Sequence, residues 1–292
     1  MRHILYVTNP FDTAAHSGGF ISDYLNDLLF YGLTELDNIR VIDSTPIFSL
    51  YKQYQYFIRP KNLWGGFTSF WLLDHDFNDE LDRRLNITEK IEDKFFDLII
   101  YGNIRRCADY YDLANKIYPP NKIIFIDGND DTSIIQSPNP YFKRELTTSQ
   151  PNVFPISFAF PTCKLTNTNH NKTKAWATCI PGKPQTYIFK DESSYYKDYQ
   201  SSFYAVSKKK AGWDCMRHYE ILGNYCVPYF DMSNCPKQTL HNFPKQQITT
   251  LMNLVPKVNK ETYYSLMDEL FNYTKQHLTT EVLAKYVLEC TL

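Results

Sequence analysis

At 292 residues, with 43% hydrophobic and 22% charged content, the chain has ordinary globular composition and room for one large domain or two of usual size. A formal net charge of −1 argues against a general nucleic-acid binder, and no apolar run approaches the length of a membrane span. Seven cysteines with no CxxC pair and no clustered histidine argue against a zinc framework and fit a reducing compartment.

Residues 4–8 read as a first buried strand, closed by Asn9-Pro10. The apolar run is too short for a signal peptide, so a cytoplasmic protein is expected. A polar loop over 12–19 leads to a helix over 20–33, and a second strand spans 39–44. Residues 48–82 are rich in aromatics and read as loops and a helix over a binding face. The spacing then predicts a helix over 88–96, a strand over 97–101, a turn at 102–106, a helix over 108–117 and a strand over 122–127. Alternating strands and helices predict a parallel α/β sheet, whose ligands sit beyond the carboxyl ends of the strands. The polar clusters at 9–19, 102–106 and 127–131 fall at those ends.

A Pro-, Asn- and Thr-rich stretch over 138–172 predicts a crossing between domains. Beyond it, strands are expected near 176–180, at 187–189, at 203–206 and at 227–231, with a helix over 193–200. Further helices are expected over 236–255 and 260–288. Residues 1–150 carry a charge balance of −6 and residues 151–292 one of +5. That asymmetry suits a cleft receiving an anionic ligand on its C-terminal wall.

The densest chemistry lies in Lys208-Lys209-Lys210-Ala211-Gly212-Trp213-Asp214-Cys215-Met216-Arg217-His218-Tyr219-Glu220. It reads as a glycine-containing turn and a short helix opened by Asp214. A helix start offers free N–H groups and a positive dipole end, a natural seat for an anion. Arg217 and Glu220, three apart, share one face: the guanidinium suits phosphate oxygens and the carboxylate a pair of sugar hydroxyls. The competing reading is a solvated lysine run on a surface helix. Asp214 fits the anion seat only if its carboxylate turns inward to cap the amides of Met216 or Arg217.

This segment, with Val227-Pro228-Tyr229-Phe230, Asn234-Cys235-Pro236 and Phe243-Pro244-Lys245, resembles the donor-binding region of GT-B glycosyltransferases of the exostosin-like and CgeB-like kind. Tyr141-Phe142-Lys143-Arg144-Glu145-Leu146, Phe154-Pro155-Ile156-Ser157-Phe158, and the strand ends at 98–106 and 124–128 are similar to other parts of the same proteins. The resemblance implies two Rossmann-like domains facing across a cleft, an acceptor-side domain over 1–155 and a nucleotide-sugar domain over 156–292. The implied reaction moves a sugar from a nucleoside-diphosphate sugar, UDP favoured, to a glycan hydroxyl. Glu220 falls where many such enzymes place a glutamate on the donor ribose. Retaining members carry a second glutamate where this chain has Gly212, so inversion is favoured. The Lys-, Asn-, Ile- and Tyr-rich composition suits a large DNA virus or an AT-rich bacterium.

Inversion needs a base from the N-terminal wall, and the candidates are Asp74, Asp12 and His16. Asp74 is favoured because Phe67, Phe70 and Trp71 would supply a dry sugar platform. Lys208, Lys209, Lys210, Gly212, Trp213, Arg217 and Glu220 are the expected donor-binding residues. Gly18, Gly19, Gly66, Asn103, Arg105, Asp127 and Arg144 are the expected cleft and acceptor residues. No divalent metal or other cofactor is expected, since Asp74-His75-Asp76 lies opposite the donor site. Two rivals are a non-catalytic carbohydrate-binding protein on the same fold and another nucleotide-sugar enzyme such as an epimerase. The latter lacks its dinucleotide fingerprint here, where only Ser17-Gly18-Gly19 follows the first strand.

Overall fold

The near-continuous apolar runs Ile4-Leu5-Tyr6-Val7, Leu98-Ile99-Ile100-Tyr101 and Ile123-Ile124-Phe125-Ile126 are buried over their whole length, the pattern of strands covered on both faces. They form the centre of a six-stranded, all-parallel sheet in a computed structural model that describes residues 1–9, 23–56, 67–74, 84–166, 171–255 and 259–291. Its strands are β1 (Arg2–Val7), β2 (Ile39–Asp43), β3 (Leu98–Tyr101), β4 (Ile123–Asp127), β5 (Tyr141–Lys143) and β6 (Val153–Pro155), in the order β2-β1-β3-β4-β5-β6. Alternation along each strand divides the side chains between two cores. Leu5, Val7, Ile99, Tyr101, Ile123 and Phe125 face helices α2 (Ile87–Glu92) and α3 (Tyr111–Ile117). Ile4, Tyr6, Leu98, Ile100, Ile124 and Ile126 face α1 (Tyr24–Thr34), whose start is capped by the Asp23 carboxylate on the Asn26 amide.

A second sheet, also all parallel, holds β7 (Lys174–Trp176), β8 (Ser202–Val206) and β9 (Val227–Tyr229) in that order. Helices α4 (Glu192–Gln200), α5 (Met216–Gly223), α6 (Lys245–Met252) and α7 (Lys260–His277) enclose it in an aromatic-rich core containing Tyr195, Tyr199, Tyr204, Tyr219 and Tyr263. The chain is therefore α/β with two parallel sheets. Among the described residues, no helix is long and apolar enough to cross a membrane.

Several elements depart from their sequence expectations. Strands β5 and β6 lie inside the Pro-rich crossing, and at three residues each they leave too little periodicity to be seen. The expected strand at 187–189 is irregular chain after a single 3-10 turn, with Tyr187 and Ile188 exposed and, among the described residues, no strand paired with them. The expected helix over 236–255 shrinks to α6. Positive φ at Leu240 and Asn242 and a proline at position 244 prevent its earlier part from winding. The expected helix over 260–288 breaks into α7 and α8 (Thr280–Glu289), because the Phe160 amide donates to the Leu278 carbonyl and the Thr280 amide to the Phe160 carbonyl.

After that break, α8 leaves the second sheet and packs on α1, burying Leu283, Ala284, Val287 and Leu288 in the first core. Gly32 permits the contact, since a Cβ there would lie 2.1 Å from the Thr280 carbonyl oxygen. Gly32→Ala should therefore cost about 1–3 kcal/mol in urea unfolding. Gly128→Ala, whose nearest neighbour would be 3.5 Å away, should cost far less.

Candidate ligand-binding cleft

The carboxyl ends of both sheets open onto one cleft of about 330 Å³. From the first sheet come Asp23 and Tyr24 after β1, Arg106 after β3, Gly128 and Asp130 after β4, and Arg144 after β5. From the second come Pro181 after β7, Ser207, Lys208 and Lys210 after β8, and the start of α5. This is where open parallel sheets place ligands, because the loops leaving strand ends are free to vary without disturbing the core.

One wall is joined to the other by the Arg144-Glu145 pair. Arg144 is 3% exposed. Its Nε donates to the Gly128 carbonyl at 2.9 Å, its Nη1 to the Asp214 carbonyl at 2.5 Å and to Glu145 Oε1 at 3.2 Å, and its Nη2 to Asp130. The Glu145 carboxylate accepts the amides of Trp213 at 3.0 Å and Asp214 at 2.9 Å. Gly212 lies against it, for a Cβ there would be 2.5 Å from Glu145 Oε1. The turn that the sequence offers as an anion seat is thus already filled by a carboxylate of the protein itself.

The seat moves one step along, to the start of α5. Its N-cap is Cys215, not Asp214, and among the described residues no side-chain cap bond is made there. Asp214 does turn inward, but onto the Phe158 amide at 2.8 Å and the Tyr219 hydroxyl at 2.9 Å, so the expected cap on Met216 or Arg217 is not made. Burial pushes the Asp214 carboxyl up to about 7, against the lowering field of Arg144. Arg217 lines the cleft with its guanidinium 5.4 Å from the Tyr187 ring centroid. Its Nη2 makes a long 3.5 Å contact with the Tyr187 hydroxyl, and its Nη1 is buried with no hydrogen-bond partner among the described residues.

Glu220 shares the cleft with Arg217 but is firmly held. Oε1 accepts from Thr68 at 2.5 Å and Oε2 from the Tyr195 hydroxyl at 2.8 Å. Burial raises this carboxyl above its ordinary range, while those two hydrogen bonds and the Arg217 charge oppose the rise. Each oxygen keeps a second lone pair for a ligand hydroxyl. The remaining cleft carboxylates are also engaged: Asp23 with Arg106 at 3.2 Å, and Asp130 with Arg144. Lys208 and Lys210 are exposed and, among the described residues, form no ion pair. The unspent charge of the cleft is positive and sits on the second-sheet wall.

The structure brings Lys208, Lys210, Gly212, Arg217, Glu220 and Arg144 together, as the sequence expects of one site. It sends others elsewhere. Lys209 lies over the Trp213 ring at 4.9 Å, and neither residue lines the cleft. Asp127 is fully buried beneath the first wall, bonded to Arg105 Nε at 3.0 Å, Lys143 Nζ at 3.1 Å and the Tyr141 hydroxyl at 2.5 Å. Arg105 turns away with it, its Nη2 donating to the Ser133 carbonyl. Asn103 stands behind the wall and holds Asp23 through Nδ2 at 2.6 Å.

Asp74 is 84% exposed, ion-paired with Lys52 at 2.8 Å and outside the cleft. Its expected aromatic platform packs against the protein: Phe70 is buried against half-buried Trp71, and half-buried Phe67 packs on Tyr195. Asp12, His16, Gly18, Gly19 and Gly66 lie outside the described residues.

Sequence reasoning missed Asp23, Tyr24, Phe158, Asp130, Arg106 and Ser207 as lining residues. Arg106 and Asp130 sat within the flagged strand-end clusters, where an exposed neighbour could not be told from a buried one. Ser207 carried only its place between a strand and the lysine run. Compared with protein-family models and with curated proteins, the chain matches no family model and no curated sequence.

Proposed function

We propose that this cleft binds a nucleoside-diphosphate sugar, with UDP the favoured nucleotide, and transfers the sugar with inversion to a glycan hydroxyl, in a GT-B arrangement of two Rossmann-like lobes. The observation that carries the reading is the buried, unpartnered Nη1 of Arg217 beside the uncapped start of α5. A buried guanidinium nitrogen without a partner is costly, and a bound diphosphate would satisfy it. Lys208 and Lys210 add the charge needed to stabilise a departing diphosphate, without calling on a divalent metal. Glu220 retains lone pairs suited to sugar hydroxyls. Among the described residues of the opposite wall, Asp23 and Asp130 are the carboxylates that line the cleft and could receive a proton from an acceptor hydroxyl.

The test is a panel of UDP- and GDP-sugars, following nucleoside-diphosphate release with and without glycan acceptors. Turnover is expected for one donor class. Asp74→Asn should turn over at the wild-type rate and melt at the wild-type temperature, since an exposed ion pair adds little to either. Binding of glycans alone, with no nucleotide bound, would replace this reading with that of a carbohydrate-binding protein.

A further inference from the structure

Ser207 is the first residue beyond β8, 4% exposed and on the cleft floor. Its amide donates to the Tyr229 carbonyl at 3.0 Å, so the backbone is fixed. Its Oγ lies 2.9 Å from His218 Nδ1. His218 is fully buried, stacked on Phe230 with ring centroids 4.2 Å apart and planes 6° from parallel. Its Nε2 lies 3.0 Å from the Trp213 carbonyl oxygen.

A carbonyl can only accept, so Nε2 carries the ring proton and Nδ1 presents a lone pair. Burial, helped by the nearby Arg217 charge and opposed by the bond to the Trp213 carbonyl, holds the imidazole down to about 4, so the ring stays neutral around pH 7. The Ser207 hydroxyl proton is therefore committed to Nδ1, and the oxygen shows the cleft lone pairs only. An ionised phosphate oxygen set against it would meet lone pair with lone pair. A ligand N–H or O–H would be bound.

We infer that Ser207 is a specificity-determining residue, an acceptor that requires a hydrogen-bond donor on the ligand beside its anionic group. This inference rests on the diphosphate-binding reading above and adds the second pole of the ligand. The Arg217–Lys208–Lys210 side takes the anion, and Ser207 reads a base N–H or a sugar hydroxyl. Inorganic diphosphate in its fully ionised form, the form a cationic seat favours, meets the first requirement and not the second.

Calorimetric titration of the full chain with inorganic diphosphate, UDP and GDP tests it. In Ser207→Ala, the nucleotide that the wild type prefers should bind about tenfold more weakly, the loss of one well-made hydrogen bond, with diphosphate affinity unchanged. A general distortion of the cleft would weaken both, so the ratio of the two affinities is the deciding quantity. Ser207→Cys, whose thiol has a similar shape but is a weak acceptor, should show the same selective loss of the nucleotide and serves if Ser207→Ala folds poorly. Methylating the base N–H or removing the ribose 2′-hydroxyl of the preferred nucleotide separates the two sources of the donor. Equal losses for nucleotide and diphosphate, or no loss, would overturn the role of Ser207 while leaving the diphosphate site standing. A wild-type protein that binds none of the three ligands would remove both.

Discussion

Arg217→Met should weaken nucleoside-diphosphate binding by about ten- to a hundredfold while leaving the melting temperature unchanged or raising it. The two halves of that expectation come from the same atoms. In the unliganded protein the guanidinium has one long hydrogen bond to Tyr187, a ring contact and a buried Nη1 with nothing to donate to. A charged group held this way contributes little to folding beyond its field on Glu220, whose carboxylate keeps two hydrogen bonds of its own, and methionine keeps an aliphatic stem of similar length. In the complex, that guanidinium would make charge-assisted bonds to phosphate, each worth about 1.5–3 kcal/mol. Calorimetric titration and a thermal melt on the same sample separate the effects. A fall in melting temperature with intact binding would make Arg217 a brace of the fold and remove the main support for the diphosphate site.

Arg144→Met carries the opposite signature, a large loss of stability. The variant strands the Gly128 and Asp214 carbonyls and leaves the Glu145 carboxylate buried without its cation. Breaking a buried pair from one side costs about 3–5 kcal/mol, because the remaining charge is uncompensated. In a chain of this size that corresponds to a fall in melting temperature on the order of 10 °C. Arg144→Lys should not rescue it, since a single ammonium cannot reach the Gly128 carbonyl, the Asp214 carbonyl and two carboxylates at once. A melt within a degree or two of wild type would show that the two walls are held by something other than this joint.

These expectations invert part of what the chain alone led us to expect. Arg144 reads from sequence as a cleft residue able to reach phosphate, and it does line the cleft, but every one of its strong hydrogen bonds is spent on the protein. Asp127 reads as a strand-end polar residue facing a ligand, yet it points into the body beneath the loop at 129–133 and is fully buried. Asp74, next to aromatic residues in sequence, is exposed and paired with Lys52, while Phe70 turns into its own small cluster. A one-dimensional pattern says that a polar residue follows a strand. It does not say on which side of the next turn the side chain emerges.

Local pattern was sufficient for the long buried strands, for most helices and for the parallel α/β class. Apolar runs of four to six residues and a 3.6-residue period depend on near neighbours in the chain, and near neighbours are what a sequence displays. The same holds for the cluster of charge and donors around 208–220, whose members are brought together by a single turn and one short helix.

The three-residue strands β5 and β6, the break at Leu278–Thr279 and the return of α8 to α1 were decided by tertiary packing. Each depends on a partner far along the chain: the neighbouring sheet edge, the backbone of Phe160, the bare face of Gly32. So does the filling of the 212–214 turn by Glu145, a carboxylate 68 positions upstream of Trp213. Whether a donor is free for a ligand or already taken is a question about distant residues meeting in space. Only the folded chain answers it.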